Sequence, residues 1–164
     1  MKVGLHIPDF TWEGGPPSLR VRLGEVARQA EQAGVDRISV MDHVWQIGHI
    51  GPPEHEMLEA YTTLGWLAAK TDRVKLLTVV TAVVYREPGL LAKAVTTLDV
   101  LSGGRAMLGI GRPGTKRKRV GWAYSSRRSG NGSNGWRRRC ASAGRCGVMT
   151  TARSTGSTTS WVAH

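Results

Sequence analysis

Residues 73–84 read RVKLLTVVTAVV. From Leu76 onward the side chains are apolar or β-branched on both alternating positions, which suits a strand covered on both faces, as in a parallel sheet packed between layers. Parallel strands need long crossovers, and the flanking sequence supplies them. Upstream, Leu58, Tyr61, Leu64 and Leu67 share one face of a helix expected over about residues 56–70; downstream, a helix is expected over about 88–101, with Pro88 near its first turn. Farther out, KVGLH (2–6) and RISVM (37–41) have strand length, and between them Leu19, Leu23, Val26, Ala27, Ala30 and Ala33 recur at helical spacing. Ser18 is the expected N-cap of that helix and Gly34 its stop. Ser102-Gly103-Gly104 turns the chain into RAMLGIG (105–111), the last strand. The order βαβαβαβ predicts an α/β fold with a parallel sheet.

The chain has 164 residues, 40% of them hydrophobic, which is the composition of a globular domain. No apolar run approaches the roughly 18 residues of a membrane span. MKVGLHIPDF lacks the apolar stretch and small-residue cleavage site of a secretory signal, so a cytoplasmic location is expected. The formal charge of +11 hides a division: residues 1–111 carry 11 Lys and Arg against all 12 acidic residues, and the other 12 basic residues lie in 112–164. That second segment is rich in Gly, Ser, Thr and Arg, poor in aliphatic residues, and on composition alone is a disordered tail. Its clusters Lys116–Arg119 and Arg137–Arg139 are the features a nucleic-acid-binding protein would use, as an alternative of a different class. Cys140 and Cys146, with five residues between them and one later His, do not complete a four-ligand set, so no metal site is expected.

Chemistry-bearing residues gather at the expected C-terminal ends of strands, where parallel α/β folds hold ligands. Asp42 and His43 follow the second strand; Thr78 and Thr81 place two hydroxyls on the third; Gly109 and Gly111 form a GIG at the fourth. Singly, each has an ordinary explanation: a loop histidine, hydroxyls capping backbone, and a glycine pair without the complete phosphate-binding pattern.

Together, MDHVWQ (41–46), YREPGLLAKAVTTLDVLSGGR (85–105) and the GIG strand resemble the luciferase-like monooxygenase superfamily, and within it the oxidoreductases dependent on coenzyme F420. The resemblance covers residues 1–111. It implies the N-terminal half of a (β/α)8 TIM barrel with the cofactor over the C-terminal mouth, F420 being the expected cofactor and FMN, in a monooxygenase, the alternative. It further implies a small organic substrate, a homodimer in the full-length family, and hydride transfer as the chemistry. Asp42 and His43 are then expected at the deazaflavin ring, with His43 suited to proton transfer by its reference pKa of about 6.5. A bulge with a cis peptide behind the ring maps to Thr78-Val79, Thr81 being a further polar contact, and Gly109 and Gly111 complete the cofactor-binding set.

Beyond Gly111 the sequence departs from that pattern, and the genetic code offers a test. When the last base of each codon is joined to the first two of the next, Pro113 to Lys118 permits WNEEE, Gly130 to Cys140 permits ERFERLEEAL, and Arg145 to Trp161 permits MWSDDDGPFNGKHYQL. The Met149-Thr150 junction leaves no choice and reads Asp. All three runs lie in one frame, and the family continues with sequences of this kind. The expectation is therefore a frameshift of one lost nucleotide near codon 111, making 112–164 an out-of-frame tail. A chain with half the strands of a closed barrel is expected to be weakly folded or insoluble, and inactive, because open sheet edges and an uncovered apolar face favour aggregation.

Overall fold

The computed structural model describes residues 1–111 and, as backbone only, two short strands within 152–161. The elements are β1 (Gly4–Ile7), α1 (Gly15–Gln32), β2 (Arg37–Val40), α2 (Ala60–Ala68), β3 (Lys75–Thr78), β4 (Thr81–Ala82), α3 (Pro88–Ser102), β5 (Ala106–Met107), β6 (Ile110–Gly111), β7 (Ala152–Thr155) and β8 (Thr158–Trp161). Strands β1, β2, β3 and β5 form a parallel sheet in that order, while β4 and β6 continue it as a separate parallel pair. β7 and β8 pair antiparallel. The rest of 112–164, with the tail clusters and both cysteines, lies outside the described residues.

Strand alternation sorts the sheet into two faces. Ile7, Ile38, Val40, Leu76 and Ala106 join Leu23, Ala27, Leu64, Leu67, Leu91, Val95 and Leu98 of the helices in one buried cluster. This is the layering of a β/α unit, with α1, α2 and α3 as the crossovers.

The first helix starts earlier than its sequence suggests. Its N-cap is Gly14, at φ 89°, with Pro16 and Pro17 in the first turn, where missing N–H groups cost nothing. Ser18 is already one turn inside, and its hydroxyl donates to the Glu13 and Gly15 carbonyls instead of capping. Gly34 does end the helix, at φ 82°, with its N–H on Glu31 O and the Val35 N–H reaching Ala30 O, the paired bonds of a Schellman turn.

Two charged side chains tie the N-terminal end of the sheet together. The Glu31 carboxylate accepts from the backbone N–H groups of Asp72, Arg73 and Val74, at 2.6 Å from Arg73, pinning the end of α1 to the turn that enters β3. Burial opposes the charge on Glu31, but these hydrogen bonds outweigh it and hold the carboxyl below its ordinary pKa. Arg105, entering β5, donates to the carbonyls of Ala68, Thr71, Val74 and Ser102 and so satisfies the frayed end of α2.

A depressed carboxyl pKa stabilises the fold above the unfolded-state value and loses that effect as the pH falls through the folded-state value. Glu31→Gln is therefore expected to lower unfolding stability near neutrality by about 1–3 kcal/mol and to flatten the acid limb of the stability profile. Urea unfolding between neutral and mildly acidic pH checks both.

Candidate active site

The long apolar run 73–84 is not one strand. β3 pairs with β5 up to Leu77↔Met107, and β4 pairs with β6 from Thr81↔Ile110, so four residue steps on one strand oppose three on its neighbour. The surplus residue makes a bulge. It contains a cis peptide bond at Val79–Val80, one position later than the Thr78-Val79 expected from the sequence. Val79 N–H still bonds Val40 O, so the bulge stays attached to β2 while its two valine side chains remain exposed.

Gly109 makes room for this. A Cβ there would stand 2.2 Å from Thr78 O, and one on Gly111 would stand 2.5 Å from a Val80 methyl. The GIG strand is thus shaped to lie against the bulge, which accounts for both glycines without a phosphate.

The hydroxyls expected at the site lie behind the valines. Thr78 Oγ1 donates to Gly109 O at 3.1 Å, and the same carbonyl accepts the Thr81 N–H at 2.7 Å. With its proton committed, Thr78 Oγ1 accepts from the Thr81 hydroxyl, which in turn accepts from Tyr61 Oη at 2.6 Å. The bonds therefore run in one direction, from Tyr61 through Thr81 and Thr78 to Gly109. Burial raises the Tyr61 pKa, and this outweighs the opposing effect of its hydrogen bonding with the threonines, the charge on Asp42 adding to the rise, so the phenol keeps the proton it donates.

Asp42 sits at the end of β2, 4% exposed, as the sequence suggests, but its surroundings are those of an anchor. Oδ2 accepts from the Ala82 N–H at 3.0 Å and Arg86 Nη1 at 2.7 Å, while Oδ1 accepts from Arg86 Nη2 at 2.9 Å. Arg86 also pairs with Glu59, whose other oxygen caps α2 through the Thr62 N–H at 2.7 Å. The guanidinium lies 4.9 Å from the Tyr61 ring centroid, a cation–π contact that joins the ion cluster to the hydroxyl chain. Burial disfavours the Arg86 charge, yet the bonds to Asp42 and Glu59 prevail and drive its pKa upward. For Glu59, burial is likewise outweighed by Thr62 and Arg86, and its pKa falls.

The structure thus brings Asp42, Thr78, Val79, Thr81, Gly109 and Gly111 together, with half-buried His43 on the loop leaving β2. It adds Arg86, Glu59 and Tyr61, which the residue-by-residue reading missed. Arg86 lies in the quoted YREP segment, and a buried carboxylate at Asp42 needs such a partner. Among the described residues no cluster of three His, Cys, Asp or Glu side chains could hold a metal ion, and no helix is long and apolar enough to cross a membrane.

A parallel sheet backed by helices, with a bulged third strand and its polar residues at the carboxyl ends, defines the class: one part of a β/α enzyme barrel. The luciferase-like monooxygenase family model matches residues 1–128, and the chain belongs to that family. It is 40% identical over 91 residues to the F420-dependent glucose-6-phosphate dehydrogenase of Kineococcus radiotolerans, a match covering 55% of this chain and 26% of the relative. It is 34% identical over 102 residues to the 5,10-methylenetetrahydromethanopterin reductase of Methanolobus tindarius, covering 62% and 28%. The chain thus spans about a quarter of the length of these relatives. The fold is similar to that of the oxygenating constituent of 3,6-diketocamphane monooxygenase from Pseudomonas putida, with a TM-score of 0.67, 21% identity, and 87% of this chain and 38% of that one covered.

Arg86→Leu leaves the Asp42 carboxylate buried without its counter-ion and is expected to cost about 3–5 kcal/mol. Arg86→Lys should recover only part, because an ammonium cannot reproduce the two-pronged contact. The Asp42→Asn/Arg86→Leu double variant should be milder than the Arg86→Leu single. Chemical unfolding of the three variants measures all of this.

Proposed function

We propose that residues 1–111 are the cofactor-facing part of an F420-dependent oxidoreductase whose chemistry is hydride transfer between the deazaflavin and a small organic substrate. The observation that carries this reading is the bulge at Val79–Val80, which offers two exposed valines backed by threonine hydroxyls that are bonded to one another and to Gly109 O. A flat, largely apolar ring needs such a wall. The sequence likeness to F420-dependent enzymes supports the deazaflavin over the flavin. FMN in a monooxygenase is the second reading, favoured by the fold shared with an enzyme whose structure was solved with FMN.

Bound there, the deazaflavin would supply the hydride donor or acceptor. The chain's own residues would do the rest. Val79 and Val80 would support one face of the ring, and Thr78, Thr81, Tyr61 and Gly109 would keep that support rigid. Asp42, held by Arg86, would fix the loop carrying His43, and the imidazole of His43 would exchange the proton. Asp42 is poorly suited to that exchange, because both its oxygens are already engaged.

The same reading makes 112–164 the product of out-of-frame translation. The loss of acidic residues after Asp99 supports this. The 164-residue chain then has no catalytic activity of its own.

Sequencing the gene through codon 111 is the direct test: a restored open frame should encode the acidic, helix-patterned continuation. The protein from a gene repaired by one nucleotide should quench F420 fluorescence on binding and leave FMN fluorescence unchanged. Quenching of FMN alone would favour the monooxygenase reading. A gene confirmed as written, together with an active 164-residue chain, would overturn the frameshift.

A further inference from the structure

The sheet face turned away from the helices carries a polar pair that neither the ion cluster nor the hydroxyl chain uses. On β1, Leu5 and Ile7 turn toward the helical core, and so do Ile38 and Val40 on β2. His6 and Ser39 therefore project from the opposite face, which in a β/α barrel is the lumen, and they are direct register partners. His6 Nδ1 lies 2.9 Å from Ser39 Oγ. The Ser39 hydroxyl donates to Leu5 O at 3.3 Å, so its single proton is spent there and Oγ is left to accept from Nδ1–H. That arrangement leaves Nε2 as the bare, basic nitrogen of the ring.

The surroundings keep it so. In the same layer across the sheet, β2, β3 and β5 contribute Ser39, Leu77 and Met107, two of them apolar. One layer nearer the strand starts, Arg37 and Lys75 are register partners; Arg37 lies across Gly4, and both cations are paired with Asp36. Neighbours of this kind do not favour a second positive charge. Partial burial of the ring lowers the His6 pKa, and a hydrogen bond to the Ser39 backbone raises it by less. His6 is also one residue from the end of β1, the end at which the other strands place Asp42 and the bulge.

We propose that His6, oriented by Ser39, is a second proton-handling site of this enzyme, one that binds the oxygen of an alcohol or carbonyl substrate in the lumen beneath the cofactor. The inference rests on the oxidoreductase reading. For an alcohol, the O–H bond breaks and its proton passes to Nε2. The C–H bond breaks with its electron pair, which leaves as hydride to the oxidised deazaflavin, and the C=O bond forms. Carbonyl reduction runs the same steps backward, with the imidazolium returning the proton.

The test uses the protein from the gene repaired by one nucleotide and diethyl pyrocarbonate, which acylates imidazole only in its unprotonated form, with the modified histidines resolved by peptide mass spectrometry and N-acetylhistidine as the reference. His6 should modify with a midpoint below the ordinary imidazole value. Ser39→Ala, which removes the oxygen that orients the ring but keeps the backbone of residue 39, should reduce the protection that oxidised F420 with 2-propanol gives His6. Added oxidised F420 together with 2-propanol should slow modification of both His6 and His43. A midpoint at the ordinary value, or protection of His43 with His6 unaffected, would overturn the assignment of His6 while leaving the cofactor reading intact. Failure to protect either histidine would count against both.

Discussion

The carbonyl of Gly109 is the point on which the mouth of the sheet depends. It accepts the Thr81 N–H and the Thr78 hydroxyl together, and so closes the ladder on both sides of the surplus residue between Leu77 and Thr81. Every other feature follows from that closure. The two valines are turned outward because the backbone between the two ladder segments has been lifted out of register. The hydroxyls run in one direction because this carbonyl ends their chain, and a glycine must stand there because a side chain would collide with the backbone it supports. Bulges that re-aim side chains beside a ligand site are a recurrent use of such irregularity.

The ion cluster supplies the complementary constraint. Asp42, Arg86 and Glu59 belong to the exit of β2, the entry to α3 and the entry to α2, so one guanidinium holds three loops at the same end of the sheet. Burying charge is costly unless every lone pair is used, and here the Ala82 N–H and the Thr62 N–H take up what Arg86 leaves. Tyr61 belongs to both systems, through its hydroxyl to Thr81 and through its ring to Arg86. Removing the arginine therefore loosens the loops directly and the bulge through Tyr61 and Thr81.

Much of this was legible in the sequence, and the part that was not has a physical reason. Apolar runs and helical spacing located every crossover, because the buried cluster imposes those periods directly. The ends were harder to read. Ser18 has the right chemistry for a cap, but two prolines before it let the helix begin a turn earlier, and Glu59 caps α2 although its side chain is not among the usual capping residues. The bulge came from the family resemblance and not from the pattern of RVKLLTVVTAVV, whose apolar stretch has no alternation to interrupt; its position is set by Gly109, thirty-one residues away from Thr78 along the chain. Asp42 and His43 were found by their place after a strand. Arg86 is forty-four residues from Asp42, and only the fold makes them partners.

The two ends of the sheet hold different kinds of polar contact, side chain to backbone at the strand starts and an ion cluster with a hydroxyl chain at the strand ends. Glu31 and Arg105 bind turns to helix ends through backbone groups that lie within the described unit, so the lower half is closed on itself. The upper half has a different character: its exposed side chains, Trp45, Val79 and Val80, have apolar surface and no core to enter. The two ends also respond differently to loss of neighbouring strands. Clamps from one side chain to nearby backbone groups, such as those of Glu31 and Arg105, survive in a partial sheet, whereas the exposed valines of the bulge stay open to water until further structure covers them. The described residues therefore hold the means to order the strand starts, while the apolar surface at the strand ends is left for a further layer to cover.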